Sequence, residues 1–302
     1  MIKIVSENEK LGDYNPLNDF LFLKYMAEKG CEQSLMSFIN ALFNEYGKKV
    51  DDIKLISDKV IPVKLKGEKG CFVDLRAESS QGQRFIVEMQ ATDSNEFRKR
   101  AFHYICREFG NSVAGGKDNL SYDQHILINI TNFGFEKNKR YRKEENFYQK
   151  FNYVEKTKCK LLYTDLIEIY NIDLVKFRNI KIKDINNPLH QWAIFFCKKR
   201  HEKEFKEVLK MNDSIKLADE KAKEVLSDGE SRRIYEQIEL RTHQIEMEFK
   251  EAEKRAMEKG RKEGREEGMK KTAISLLNEG FDVSKISELT GLSLNDVKNL
   301  KK

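Results

Sequence analysis

Apolar and polar residues alternate with two different periods along this chain. Cys71 to Gln90, CFVDLRAESSQGQRFIVEMQ, has period two on both sides of SSQGQ, which predicts strands over Phe72–Glu78 and Arg84–Gln90 joined by a hairpin turn. Folding the segment about Gln81 sets Asp74 opposite Glu88. Arg84, Ile86, Glu88 and Gln90 then share one face, and Phe85, Val87 and Met89 take the other with Val73, Leu75 and Ala77, the expected core side. Upstream, Asn15-Pro16 opens a first amphipathic helix over Phe20–Ala27, with Asn18 or Asp19 as its cap. A second follows over Leu35–Phe43, with Gly30 and Gly47 as breaks. Ile53–Lys66 is strand-like, and Pro62 confines its second half to an edge or an interruption. Downstream, Phe97, Ala101, Ile105 and Phe109 recur every fourth residue, which predicts a helix over 96–109 with Arg100 and Tyr104 one turn apart on a neighbouring face. Gln124–Thr131 has the pattern of a buried strand, and Leu161–Lys176 alternates at its start. This order predicts a mixed α/β core with helices beside the sheet.

After Pro188 the period becomes helical and the segments grow more charged: Leu189–Lys210, 214–226 and 231–258. Gly260, Gly264 and Gly268 follow at every fourth position, each costing a helix about 1 kcal/mol relative to alanine, so a weak helix or hinge is expected there. A small helical module closes the chain, with Gly280 and Gly291 as helix stops and Ser284 and Ser293 as starts. Three parts are expected: a core over 1–180, a charged helical extension over 181–259, and a module over 260–302.

Composition narrows the function classes. The chain has 302 residues, 35% of them charged, so much of it must be solvated. A net charge of +6 permits nucleic-acid binding without requiring it. Five cysteines without a CxxC pair are expected as reduced thiols in a cytoplasmic protein. MIKIVSENEK lacks a signal-peptide apolar region, and no run is apolar enough for a membrane span. The histidines lack zinc-hydrolase spacing, and there is no GxSxG elbow. At Gly116-Lys117 a P-loop pattern fails, because Asn111 and Asp118 replace its first glycine and its Ser/Thr.

The chemistry therefore rests on the hairpin. Two carboxylates opposite each other are unfavourable unless something offsets them. A divalent cation would do so, and carboxylate oxygens suit Mg²⁺ or Mn²⁺. Alternatively, the face is solvated, with Arg76, Arg84 and Glu78 forming surface pairs. Asp19 is either a helix cap or a third acid. Arg100 is either a phosphate contact or a surface charge, and Tyr104 fits packing as well as a site.

Taken together, Asp19 on a helix, Asp74, Glu88-Met-Gln90 on a hairpin, and Arg100 with Tyr104 on the next helix resemble the PD-(D/E)XK nuclease superfamily. More narrowly, the chain resembles the Rpn family of recombination-promoting nucleases and transposases. The similarity runs through NDFLFLKYM (18–26), VDLRAESSQGQRFIVEMQ (73–90), FRKRAFHYICREFGNSVAGGKDNLSY (97–122), HILINITNF (125–133) and DLIEIYNIDLVKF (165–177). It implies a restriction-endonuclease-like core, a mixed sheet flanked by helices, with a helical C-terminal extension. It also implies Asp74, Glu88 and Gln90 as catalytic residues, Asp74, Glu88 and Asp19 as ligands of Mg²⁺ or Mn²⁺, and Arg100 and Tyr104 as site support or phosphate contacts. Gln90 stands where the wider superfamily has lysine. Leu23 and Asp173 stand where relatives more often have Lys and Glu.

The function this implies is metal-dependent DNA endonuclease activity linked to recombination or mobile DNA; the cysteine pattern adds a cytoplasmic location, and the mixed charge of the C-terminal helices adds self-association through them. The module over 260–302 is similar to tails of that family, and a helix-turn-helix role stands beside self-association or regulation. Two rival functions remain: a non-catalytic DNA-binding or regulatory protein on a degenerate nuclease fold, for which Gln90 leaves room, and an oligomeric scaffold.

Overall fold

The computed structural model describes residues 14–57, 60–61, 71–91, 96–112, 122–134, 146–157, 161–197 and 203–300. Helices α1 (Asp19–Met26) and α2 (Glu32–Asn44) precede strands β1 (Lys54–Leu55), β2 (Val60–Ile61), β3 (Cys71–Phe72), β4 (Leu75–Glu78) and β5 (Gln83–Gln90). Helix α3 (Phe97–Ser112), β6 (Gln124–Thr131), β7 (Tyr148–Val154), β8 (Leu162–Asp173) and α4 (Leu174–Arg178) follow. The rest is helical: α5 (Pro188–Phe196), α6 (Lys203–Met211), α7 (Asp213–Ser227), α8 (Gly229–Asn278), α9 (Val283–Thr290) and α10 (Leu294–Asn299). A six-stranded mixed sheet has the order β1-β4-β5-β6-β8-β7, and β2 and β3 form a separate pair. The central pairs β5–β6 and β6–β8 are parallel, while β1–β4, β4–β5 and β7–β8 are antiparallel. The expected mixed sheet flanked by helices is thus present.

Both faces of the sheet are covered. On one, Leu75, Ala77, Phe85, Val87 and Met89 continue into Ile126, Ile128, Ile130, Tyr170 and Ile172, all buried beneath α1, α2 and α5. Local chemistry sets these helices: Asn18 caps α1 by accepting from Leu21 N, and Asn187 caps α5 with Pro188 in its first turn. On the other face, Ile86 and Leu127 pack against Phe97, Ala101 and Ile105 of α3. The second face is therefore half apolar, and the polar side chains of β5 lie under or beside a helix.

The compact unit runs to Glu239, and Leu240–Lys302 forms a second. Leu189, Trp192, Phe205, Ile215 and Leu226 belong to the same core as the sheet, so packing does not change at residue 180. In the second unit, Ala273, Ile286 and Val297 form a small core. Helix α8 continues through Gly260, Gly264 and Gly268, so of the two expectations there, a weak helix or a hinge, the chain is helical. Gly280 and Gly291 do stop helices, at φ of 87° and 72°. Asp282, rather than Ser284, starts α9, because its carboxylate accepts from the backbone N–H groups of Ser284 and Lys285.

Other local expectations shift. The first hairpin strand is not continuous from Phe72: Cys71–Phe72 pairs with Val60–Ile61, and β4 begins at Leu75. Through this interruption Val73 turns to the α3 side with Ile86, away from Leu75 and Ala77. Strand β7 is not among the elements expected from the sequence, and its pairing with β8 is shifted between Phe151 and Tyr153 and again between Tyr153 and Val154. Pro62, the Gly116-Lys117 loop and residues 135–145 lie outside the described residues.

Candidate active site

The hairpin register is Leu75 with Val87, Arg76 with Ile86, Ala77 with Phe85 and Glu78 with Arg84, which carried one step further sets Asp74 against Glu88. Because Asp74 lies just outside the regular strand, its side chain reaches across the ladder. Its Oδ2 accepts from the backbone N–H of Met89 at 2.8 Å, and the Glu88 carboxylate accepts from the backbone N–H of Asp74 at 3.3 Å. The two acids hold each other's backbones while their charges oppose. Glu88 is 6% exposed. Burial first, and then the Asp74 carboxylate, push its carboxyl up to about 9. The Arg100 guanidinium pulls the other way, and the Asp19 carboxylate adds to the repulsion, so both lie within electrostatic reach of Glu88.

Gln90, two residues along β5, sits at the rim. Arg100, in the first turn of α3, donates from Nη2 to Gln90 Oε1 at 2.7 Å. A fixed positive charge thus stands beside the position at which a lysine ammonium is absent, and the Gln90 amide is held by its oxygen. Arg100 also lies over the Phe97 ring, 5.9 Å from its centroid. Tyr104, half-buried one turn later, packs with the apolar cluster under α3.

Asp19 is the first residue of α1, while Asn18 does the capping. Asp19 remains exposed, yet the protein around it, and then the Glu239 carboxylate, raise its carboxyl above the ordinary range. Glu239 accepts from Asn18 Nδ2 at 2.8 Å and from Asn15 Nδ2 at 3.2 Å, and Tyr235 Oη accepts from Asn15 N. Helix α8 thus clamps the turn that presents Asp19. Nothing local marks Glu239 as part of this neighbourhood, because it lies 221 residues from Asn18.

Of the arginines that the solvated-face alternative places in surface pairs, Arg84 does form a partly exposed pair, while Arg76 is buried. Arg76 is 8% exposed and donates to the buried Glu108 of α3 at 2.6 Å, and Arg84 pairs with Asp123 at 2.8 Å. They belong to the seam between α3 and the sheet.

A divalent cation fits this donor set. Asp74 and Glu88 supply hard oxygens, and the unfavourable charge of a buried carboxylate facing another is what a cation offsets. Among the described residues no three His, Cys, Asp or Glu side chains group as a metal cage. The pair would therefore hold an ion whose remaining ligands are water or phosphate oxygens, the usual state of Mg²⁺.

No helix among the described residues is long and apolar enough to cross a membrane. No curated protein and no solved structure matches the chain. The family model for PD-(D/E)XK nuclease family transposases matches residues 16–252, a span containing all six candidate residues and the clamp at Glu239. With that match over most of its length, the chain belongs to the PD-(D/E)XK nuclease family transposases.

Proposed function

We propose that this protein is a metal-dependent DNA endonuclease acting in recombination or on mobile DNA, with Asp74 and Glu88 as the ligands of Mg²⁺ or Mn²⁺. The observation that carries this reading is Glu88: buried, pushed up to about 9, and facing Asp74 rather than a cationic side chain. When bound, the ion would polarise the phosphodiester and make water nucleophilic near neutral pH. The chain's own residues do the positioning. The Met89 N–H fixes Asp74, and the Asp74 N–H orients Glu88. Gln90, held by Arg100, presents its amide N–H groups towards a water or a phosphate oxygen. Arg100 supplies positive charge for the phosphate, Tyr104 supports the helix that carries it, and Asp19, within electrostatic reach of Glu88, would add negative charge for the cation. Self-association through the C-terminal helices is part of the proposal, because α8 exposes Leu240, Phe249 and Met257.

Nicking of supercoiled DNA by the full chain, with Mg²⁺, Mn²⁺ or chelator, tests this reading. Cleavage with either ion, abolished by chelator and by Asp74→Ala with DNA binding retained, is the expected result. The second reading, a non-catalytic DNA-binding protein on the same fold, is favoured by Gln90. It would be supported by metal-independent binding with no cleavage in wild type or variant.

A further inference from the structure

The row of side chains that includes Glu88 does not stop at β5. Glu88 is in register with Asn129 of β6, and Asn129 with Asn171 of β8. Residues in register on parallel neighbours project to the same side of a sheet. The row two residues earlier, Ile86, Leu127 and Ile169, confirms the side, since all three belong to the apolar cluster under α3. The sheet thus carries an apolar row and then a polar one, Glu88–Asn129–Asn171, at 6%, 3% and 1% exposure.

Within that row Asn129 Nδ2 donates to Asn171 Oδ1 at 2.7 Å. Asn129 Oδ1 and Asn171 Nδ2 are buried with no hydrogen-bond partner among the described residues. The two ends of a carboxamide diverge. With the nitrogen of Asn129 turned towards β8, its oxygen turns to the other side, where β5 carries Glu88. An unpartnered buried acceptor costs stability, and an apolar pair like Leu127 and Ile169 would avoid that cost. A polar group is therefore expected to meet this oxygen. The waters around a bound divalent cation are obligate donors and need acceptors beyond the first ligands.

On the reading of Asp74 and Glu88 as cation ligands, we infer that Asn129, oriented by Asn171, is an outer-sphere residue of the metal site, its Oδ1 accepting from the hydration shell of the ion on the buried side. Asn129 is thus a positioning residue, tuning how tightly the cation is held rather than touching the scissile phosphate.

Binding of Mn²⁺ to the metal-free full chain, followed by electron paramagnetic resonance of the free ion, tests this without any activity measurement. Wild type should bind and Asp74→Ala should not. Asn129→Leu, close in shape, should weaken binding about tenfold or more, as loss of outer-shell partners does. Asn129→Asp, which keeps the acceptor, should bind at least as tightly as wild type. The double variant Asn129→Leu/Asn171→Leu removes both amides without stranding either one, and should show the same weakening as the single variant. Wild-type affinity in folded Asn129→Leu and in the double variant would overturn the inference, with the metal site left standing. If Asn129→Leu does not fold, weaker binding by Asn129→Asp would overturn it equally. Wild type that binds no Mn²⁺, or Asp74→Ala that binds as well as wild type, would overturn the metal reading and this inference with it.

Discussion

Glu88 and Glu168 are both buried carboxylates on the central strands, and they are treated in opposite ways. Glu168, 1% exposed, accepts from Lys48 at 2.6 and 2.7 Å, from Lys150 at 2.8 Å and from the Tyr170 hydroxyl at 2.7 Å. Burial works to raise its carboxyl, but the hydrogen bonds from Lys150, Lys48 and Tyr170, together with the Lys48 charge, outweigh it and leave the group below the ordinary range. Both ammoniums also lie over aromatic rings, Lys48 over Phe43 and Lys150 over Tyr46 and Tyr170. Among the described residues Glu88 has no such cage. Its strongest charged neighbour is another carboxylate, and the pull of Arg100 is weaker than the push of Asp74. The fold can neutralise a buried acid with its own lysines and does so at Glu168. At Glu88 no lysine among the described residues does so, which marks one carboxylate as structural and the other as a candidate for chemistry.

The comparison breaks first under substitution. Asp74→Ala should lower metal-dependent cleavage roughly a thousandfold or more with little loss of fold. Glu168→Gln should leave turnover of the folded protein near wild type while lowering stability by about 3 kcal/mol, because two lysines lose their counter-charge. Nicking assays beside urea titrations read both effects, and reversed outcomes would exchange the roles of the two acids.

The next largest effect is on stability against pH, where the two acids should differ in sign. Glu88 binds its proton more tightly folded than unfolded, so its contribution is complete below the ordinary carboxylate range and is lost as pH rises towards about 9. Glu168 is lowered, so its contribution is present above that range and is lost in acid. Without divalent cations, wild type should therefore lose stability from about pH 5 to pH 9. Glu88→Gln should remove this slope, and saturating Mn²⁺ should oppose it in wild type alone. Denaturation midpoints measured across pH check this; equal slopes in wild type and Glu88→Gln would remove the distinction.

A smaller effect concerns Gln90. From the sequence, restoring lysine at this position is expected to keep or raise activity. The structure changes that expectation, because Arg100 donates to Gln90 Oε1 and would face a second cation there. Gln90→Lys should lower cleavage about tenfold through this repulsion, and adding Arg100→Gln should recover most of the loss. The smallest effect is expected from the chain beyond the clamp. Truncation after Lys259 keeps Glu239 and should leave cleavage in vitro within a few-fold of wild type.

The opposition of Asp74 and Glu88 was legible because a hairpin pairs residues close in sequence, and the length of SSQGQ sets its register. Helix α3 was legible from its four-residue apolar spacing, and with it the placement of Arg100 one turn before Tyr104. The same local logic misplaced Val73, since alternation assumes an unbroken strand and the chain changes partners at Val73-Asp74. It also favoured Ser284 over Asp282, two residues equally able to cap.

What the sequence determined by itself is periodic and local: the strands and helices, the hairpin that opposes two acids, and the glycines at which helices end. What only the tertiary structure decided is which polar groups meet across strands and helices distant in the chain. Those meetings include Arg76 with Glu108, Asn129 with Asn171, Lys48 and Lys150 with Glu168, and Glu239 with the turn before Asp19. Periodicity states which way a side chain points. The charge and solvent it then meets depend on burial and on partners that only long-range packing supplies, and these separate the Glu88 carboxyl from that of Glu168.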